Sequence, residues 1–298
     1  MSLKTKDKHA LLKSYSQPDE RLLLAKVLDQ ADLSLKKHII CFTDFIAPAM
    51  LAEIEELLIK YNGLKTKQFG GYDDAERKMI AVFPEYIDEE DIYFPLGAVG
   101  ISYNKKFTSS ISHRDYLGSI MGLGIERGKV GDIVAMDGEA ICFAEQSIAD
   151  YILSNLERVG HTKVKTQKAD INQLRLPEKK MEIKNITVSS LRADTVFGAV
   201  FGNSRSETQD LIRAERASVN WTVVRSSSEI IKEGDILSLK GGGRGKLIEV
   251  GGTTKKGRLV NCRSICLGGQ HGKYYGKHSK RRISDIFLPR LFGISRGG

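Results

Sequence analysis

The 298-residue sequence has little sulfur, and what it has is poorly spaced for cross-linking: Cys41, Cys142, Cys262 and Cys266 form no disulfide framework, so reduced thiols are expected. Long apolar runs are also missing. No stretch approaches a membrane span in length, and residues 1–16 carry Lys4, Lys6, Asp7, Lys8 and Lys13 where a signal peptide needs an apolar core. A cytoplasmic protein with no membrane partner is the expectation. No internal repeat or long low-complexity tract is visible, which excludes repeat architectures. What is present, 41% apolar and 28% charged residues, is an ordinary globular composition with room for two or three small domains.

Charge is unevenly divided. Residues 182–298 hold 21 Lys and Arg against 10 Asp and Glu, whereas residues 1–181 hold 25 against 27. The basic excess is entirely C-terminal, as expected when one part of a chain meets a polyanion and the rest has another task.

The first region, residues 1–84, reads as mostly helical with some strand. Residues 19–32 place Leu22, Leu23, Val27 and Leu28 near helical spacing after Pro18, and residues 48–61 repeat the pattern with Leu51, Ile54, Leu57 and Leu58. Residues 78–83 read as a strand, and Asp88-Glu89-Glu90-Asp91 as an exposed loop or helix start. In residues 85–170 a strand (96–103), a helix (113–123), a hairpin across Asp137-Gly138, a helix (146–159) and a strand (162–168) give the order βαββαβ. That is the ferredoxin-like pattern, used by many RNA-binding domains but fixing no function alone. Base stacking on its sheet is not expected, because the central strands offer only Phe143. Residues 169–180, with Pro177 and several charges, are the best linker, leading to a strand at 182–188.

The basic region carries the chemistry. Ser204 followed three residues later by Glu207 is a capping box, so a helix starts there with Arg205 and Ser206 beside unsatisfied N–H groups that favour an anion. Arg192, at the start of the preceding helix, lines the same face, and Asp194 orients an arginine; Val196, Phe197, Val200, Phe201, Leu211 and Ile212 read as the core between the helices. Residues 219–224 read as a strand, or as two strands closed at Asn220. In Gly241-Gly242-Gly243-Arg244-Gly245 the backbone amides are free to approach phosphates, with Arg244, Lys246, Lys255 and Lys256 adding charge. This loop lacks the terminal Lys-Ser/Thr of a phosphate loop, so no nucleotide is implied.

Arg192, Asp194, Phe197, Arg205-Ser206-Glu207, Ile212, Val219-Asn220, Gly234-Asp235 and the Gly-Arg loop follow the order of the RNA-binding domain named after ribosomal protein S-four, which residues 182–260 resemble. Glu215 and Trp221 depart from it, standing where many members carry glycine. His113-Arg114-Asp115-Tyr116-Leu117-Gly118-Ser119, Gly122-Leu123-Gly124-Ile125-Glu126-Arg127 and Lys129-Val130-Gly131-Asp132-Ile133 resemble the signature of the YlmH family across residues 1–260. That resemblance implies a helical N-terminal region, an RNA-binding α/β domain, a C-terminal S-four-like domain, and binding to large-subunit rRNA and peptidyl-tRNA in ribosome-associated quality control. Residues 261–298 depart from the family pattern and read as a disordered basic tail, or as the product of a reading-frame change near Asn261.

Enzyme readings lack their context. His113-Arg114-Asp115 has no Asp-Phe-Gly or glycine-rich partner for a kinase, and a pseudouridine synthase needs a leucine after His-Arg. These residues read as a helix start, with His113 and Arg114 as a secondary RNA contact. Gly122, Gly124 and Gly128 follow a helix and read as a cap and turn, so no cofactor is expected. Cys262, Cys266, His271 and His278 have only a loose metal-like order, and no metal is expected. The expectation is therefore an α+β, monomeric, non-enzymatic factor binding large-subunit RNA and tRNA, with no small-molecule substrate. RNA-modifying and cell-division roles are the alternatives. Arg192, Asp194, Arg205, Ser206, Asn220, Arg244, Lys246, Lys255 and Lys256 are the expected RNA-binding residues.

Overall fold

A computed structural model describes residues 8, 11–13, 15, 17–104, 111–174, 176, 181–251 and 261–267. Helix α1 (Pro18–Lys37) opens on a proline whose missing N–H costs nothing in the first turn, with Asp19 and Glu20 at its positive end and Lys36 and Lys37 at its negative end. It buries Leu24, Val27, Leu28 and Ala31, spaced at i, i+3, i+4 and i+7. Leu22 lies across the helix from Leu24 and is 59% exposed, so its expected place in the core is corrected. Helix α2 (Pro48–Leu58) packs Met50, Ile54, Leu57 and Leu58 into the same cluster.

Between and after these helices run β1 (Cys41–Phe42), β2 (Leu64–Phe69) and β3 (Met79–Pro84), an antiparallel sheet in the order β1-β3-β2. All six residues of β3 are buried. The strands β1 and β2 are absent from the sequence reading: one is two residues long, and the other alternates lysines with threonine and glutamine instead of aliphatics. A 3-10 turn at Glu89–Asp91, capped by Asp88, occupies the expected acidic loop.

The central sheet contains β4 (Leu96–Ser102), β5 (Val130–Met136), β6 (Glu139–Glu145) and β9 (Lys165–Ala169) in the order β5-β6-β4-β9, every neighbour antiparallel. Helix α3 (His113–Met121) connects β4 to β5, and α4 (Gln146–Asn155) follows β6. The β5–β6 turn sits at Asp137-Gly138, where Gly138 takes φ 94. The expected helix through residue 159 stops at Asn155, and the expected strand from 162 is broken. Two-residue strands β7 (Arg158–Val159) and β8 (Thr162–Lys163) form a separate hairpin before β9.

One sheet face packs Val99, Ile101 and Cys142 against Tyr116 and Ile120 of α3 and Ile152 of α4. Burial pushes the Cys142 thiol up to about 12, so it stays protonated and inert. The other face, around Ala98, Ile141 and Phe143, is covered by Tyr72 of the first region and by Ile171, Leu174 and Leu176. Those last three fall in the expected linker, which is therefore packed structure at its start.

The C-terminal region contains β10 (Met181–Thr187), α5 (Ala193–Phe201), α6 (Arg205–Arg213), β11 (Ala217–Val219), β12 (Thr222–Val223), β13 (Ile236–Leu239), β14 (Gly243–Val250) and β15 (Asn261–Leu267). Its six-stranded sheet runs β10-β15-β14-β13-β11-β12. Val196, Phe197, Val200, Phe201 and Ile212 join one buried cluster with Leu237, Leu239 and Leu247. The expected disordered tail is corrected for residues 261–267: β15 pairs with β10 through seven residues and with β14 on its other side. Residues 268–298, including His271 and His278, lie outside the described residues. The whole is mixed helix and sheet.

Candidate nucleic-acid interface

The capping box forms as read: the Ser204 hydroxyl accepts from Glu207 N at 3.2 Å, and Ser204 N donates to a Glu207 carboxylate oxygen at 2.8 Å. It fixes the first turn of α6, and Gly198 lets α5 approach closely, since a Cβ there would meet Asn203 O at 3.0 Å and Thr208 Oγ1 at 3.3 Å. The two helix starts are thereby held against each other.

Asp194 sits between them with no exposed surface. Its carboxylate accepts from Arg192 Nε and Nη2 at 3.2 Å each, from Arg205 Nε at 3.0 Å, from Gln209 Nε2 at 3.0 Å and from Thr195 Oγ1 at 3.2 Å. Burial alone would raise its pKa. The bonds from Arg192, Gln209, Arg205 and Thr195 outweigh that and hold the carboxyl well below the usual carboxylate range. One buried anion thus fixes two guanidinium groups whose side chains remain 35% and 60% exposed. Their remaining N–H donors have no partner among the described residues, and the cluster keeps one net positive charge facing solvent. Such a fork matches phosphate oxygens. Gln209 and Thr195 were not singled out in the sequence; Gln209 stands four residues after Arg205 on one helix face, the spacing that could have found it.

The other expected residues scatter in role. Ser206 is exposed in the first turn of α6, and Lys246 is exposed on β14. Asn220 has φ 47 and closes β11–β12; its side chain donates to Asp235 at 2.8 Å and accepts from Ile236 N at 3.0 Å, so its amide holds the sheet together. Arg244 lies on β14 and forms an ion pair with Glu76 of the first region. The expected phosphate-facing backbone at Gly241–Gly245 is corrected: Gly243, Arg244 and Gly245 are ladder residues of β14, and Gly242 N donates to Leu239 O at 2.8 Å. Lys255 and Lys256 lie outside the described residues. His113 and Arg114 open α3 as read, beneath a Ser112–Asp115 capping box that lowers the Asp115 pKa.

The signature residues 127–132 serve a different purpose. Asp132 accepts the Tyr72 hydroxyl at 2.8 Å and the backbone N–H groups of Glu76 and Arg77 at 2.7 and 3.2 Å. Arg77 donates to Phe45 O at 2.7 Å and Val130 O at 3.2 Å; burial pushes its guanidinium down to about 10, still cationic at neutral pH. Lys129 bridges Asp44 at 2.9 Å and Glu145 at 2.6 Å. A Cβ on Gly131 would meet the Phe45 ring at 2.5 Å, which explains that glycine by close packing. This segment welds the first region to the central sheet.

Two family models match the chain: "YlmH, N-terminal" over residues 19–87 and "Putative RNA-binding domain in YlmH" over residues 88–173. "Ribosome-associated protein quality control protein P2" of Bacillus subtilis (strain 168) is 36% identical over 239 residues, covering 80% of this chain and 92% of that protein. A solved structure, "Cell division protein ylmH from Streptococcus pneumoniae", is 22% identical with a TM-score of 0.46, covering 53% of this chain and 96% of that one. With both family models in register and more than a third of the residues shared with the Bacillus subtilis protein, the chain belongs to the YlmH family.

Proposed function

We propose that the protein is a non-enzymatic, ribosome-associated RNA-binding factor, and that its C-terminal region, an S-four-like module, grips rRNA and tRNA on the large subunit. The single observation behind this is the Asp194 cluster, in which a buried carboxylate presents Arg192 and Arg205 as a preset pair of phosphate ligands. Preset donors lose little side-chain freedom on binding, so the phosphate contact is stronger than one made by loose lysines. The relative named for ribosome-associated quality control supports acting on stalled translation, and the family's RNA-binding domain model supports RNA as partner. A monomer acting in the cytoplasm fits this reading.

The test is co-sedimentation with purified large ribosomal subunits at several salt concentrations, followed by sequencing of crosslinked RNA. Arg192→Ala and Arg205→Ala each weaken binding and flatten the salt dependence by about one unit of slope. Binding indifferent to both substitutions at every salt concentration overturns the assignment.

A further inference from the structure

The family's RNA-binding model covers residues 88–173 without locating its RNA contact, and the usual one for a four-stranded sheet is closed here. Phe143 has no exposed surface, because the Tyr72 ring covers it at 5.1 Å between centroids. Residues 158–169 supply another. They contain Arg158, Lys163, Lys165 and Lys168 with no acidic residue; Glu157 and Asp170 only bracket the stretch. All four cations are exposed, and none has a carboxylate partner among the described residues.

The arrangement is also costly in isolation. Arg158 and Lys163 are directly opposed across the β7–β8 hairpin, a like-charge pair that destabilises a two-stranded ribbon. The ribbon is nonetheless tied to the central unit: Gly160 in its turn takes φ 57, and Gly160 N donates to the Ser119 hydroxyl of α3 at 3.0 Å. Lys165 and Lys168 follow on β9, the edge strand of the central sheet; three residues apart, they point to its opposite faces, Lys168 to the side of Val99 and Lys165 to the side of Ser102, so the edge is cationic on both. A cluster of exposed cations with no carboxylate partner among the described residues, in a half of the chain with a slight acidic excess, is matched by an anionic phosphate backbone that passes over this edge of the sheet.

We infer that the β7–β8 hairpin and β9 form a second binding surface for the phosphate backbone of folded RNA, separate from the Asp194 cluster. This rests on the proposed RNA-binding function. It makes attachment bivalent, so either surface raises the effective concentration of RNA at the other.

The experiment uses the full chain, purified large ribosomal subunits and a stem-loop RNA transcript, with three variants: Arg158→Gln/Lys163→Gln/Lys165→Gln/Lys168→Gln, Lys163→Glu, and Arg205→Ala. The fourfold variant is expected to bind about tenfold or more weakly at low salt, with a salt slope lower by about two to four. Lys163→Glu turns the repulsive pair into an attractive one, so it raises the thermal midpoint while lowering RNA affinity, opposite signs that damage to the fold cannot produce. If Arg205→Ala weakens binding while the hairpin variants bind like the parent at all salt concentrations, the second surface is refuted and the first stands. If none of the three changes binding, both fall together.

Discussion

The ring of Tyr72, from the first region, lies 5.1 Å from that of Phe143 in the central sheet, and the same tyrosine donates its hydroxyl to Asp132 on the neighbouring strand β5. A single side chain thus closes the sheet face and ties together segments 60 residues apart in sequence. The preceding glycine makes this possible: Gly71 takes φ 100, and a Cβ there would stand 2.3 Å from Phe143 Cδ1. Gly71→Ala is therefore expected to lower stability by about 2 kcal/mol or more, combining overpacking with a left-handed backbone. Urea unfolding followed by near-ultraviolet circular dichroism measures it. An unchanged midpoint would contradict the close packing.

Removing the Asp194 carboxylate leaves two guanidinium groups and Gln209 without their common acceptor. Asp194→Ala is expected to cost the C-terminal region about 1–2 kcal/mol, the loss of its hydrogen bonds discounted because the two guanidinium groups left behind reach solvent. Arg205→Ala, which removes an exposed partner, costs under about 1 kcal/mol yet weakens RNA binding more than Arg244→Ala does, because Glu76 already neutralises Arg244. Hydrogen exchange on α5 and α6 separates the stability effect from the binding effect.

The same carboxylate sets a pH dependence. Its folded pKa lies below the unfolded value of about 3.9, so its stabilisation is complete above that value and drains away as pH falls toward the folded pKa. Unfolding of the C-terminal region by acid is expected to begin below about pH 4 and to flatten in Asp194→Asn. Equal acid sensitivity in parent and variant would remove Asp194 as its cause.

Glu215 ends α6 at φ 53 with its side chain exposed, and Trp221 holds φ 64 in the β11–β12 turn. Both keep, without being glycine, the left-handed backbone that glycine adopts freely. Glu215→Gly is expected to stabilise the protein by about 0.5–1 kcal/mol, the relief of left-handed strain less the added freedom of the unfolded chain. Thermal unfolding gives the sign directly.

Features encoded within a few residues were legible in the sequence. The Asp137-Gly138 turn, the Ser204–Glu207 capping box and the apolar row of α5 each carry their reason locally. Arg192, Asp194 and Arg205 were also legible as a group, because two adjacent helix starts with opposite charges have little choice but to meet. Contacts made across the chain were not: nothing near Asp132 announces that its acceptors will take Tyr72 and the amides of Glu76 and Arg77. The Gly-Arg loop misled because glycines that free a loop for ligand and glycines that let a strand run between two neighbours are identical in sequence.

Strand β15 enters the C-terminal sheet between β10 and β14, the first and second-last long strands to form along that stretch of chain. Shortening the protein to Val260 would open a lane one strand wide, lined on both sides by main-chain donors and acceptors. Such a gap recruits any extended peptide, including the same strand from another molecule. Ending a truncated version there, the natural choice if the remainder is dismissed as appendage, trades a closed sheet for a self-associating one.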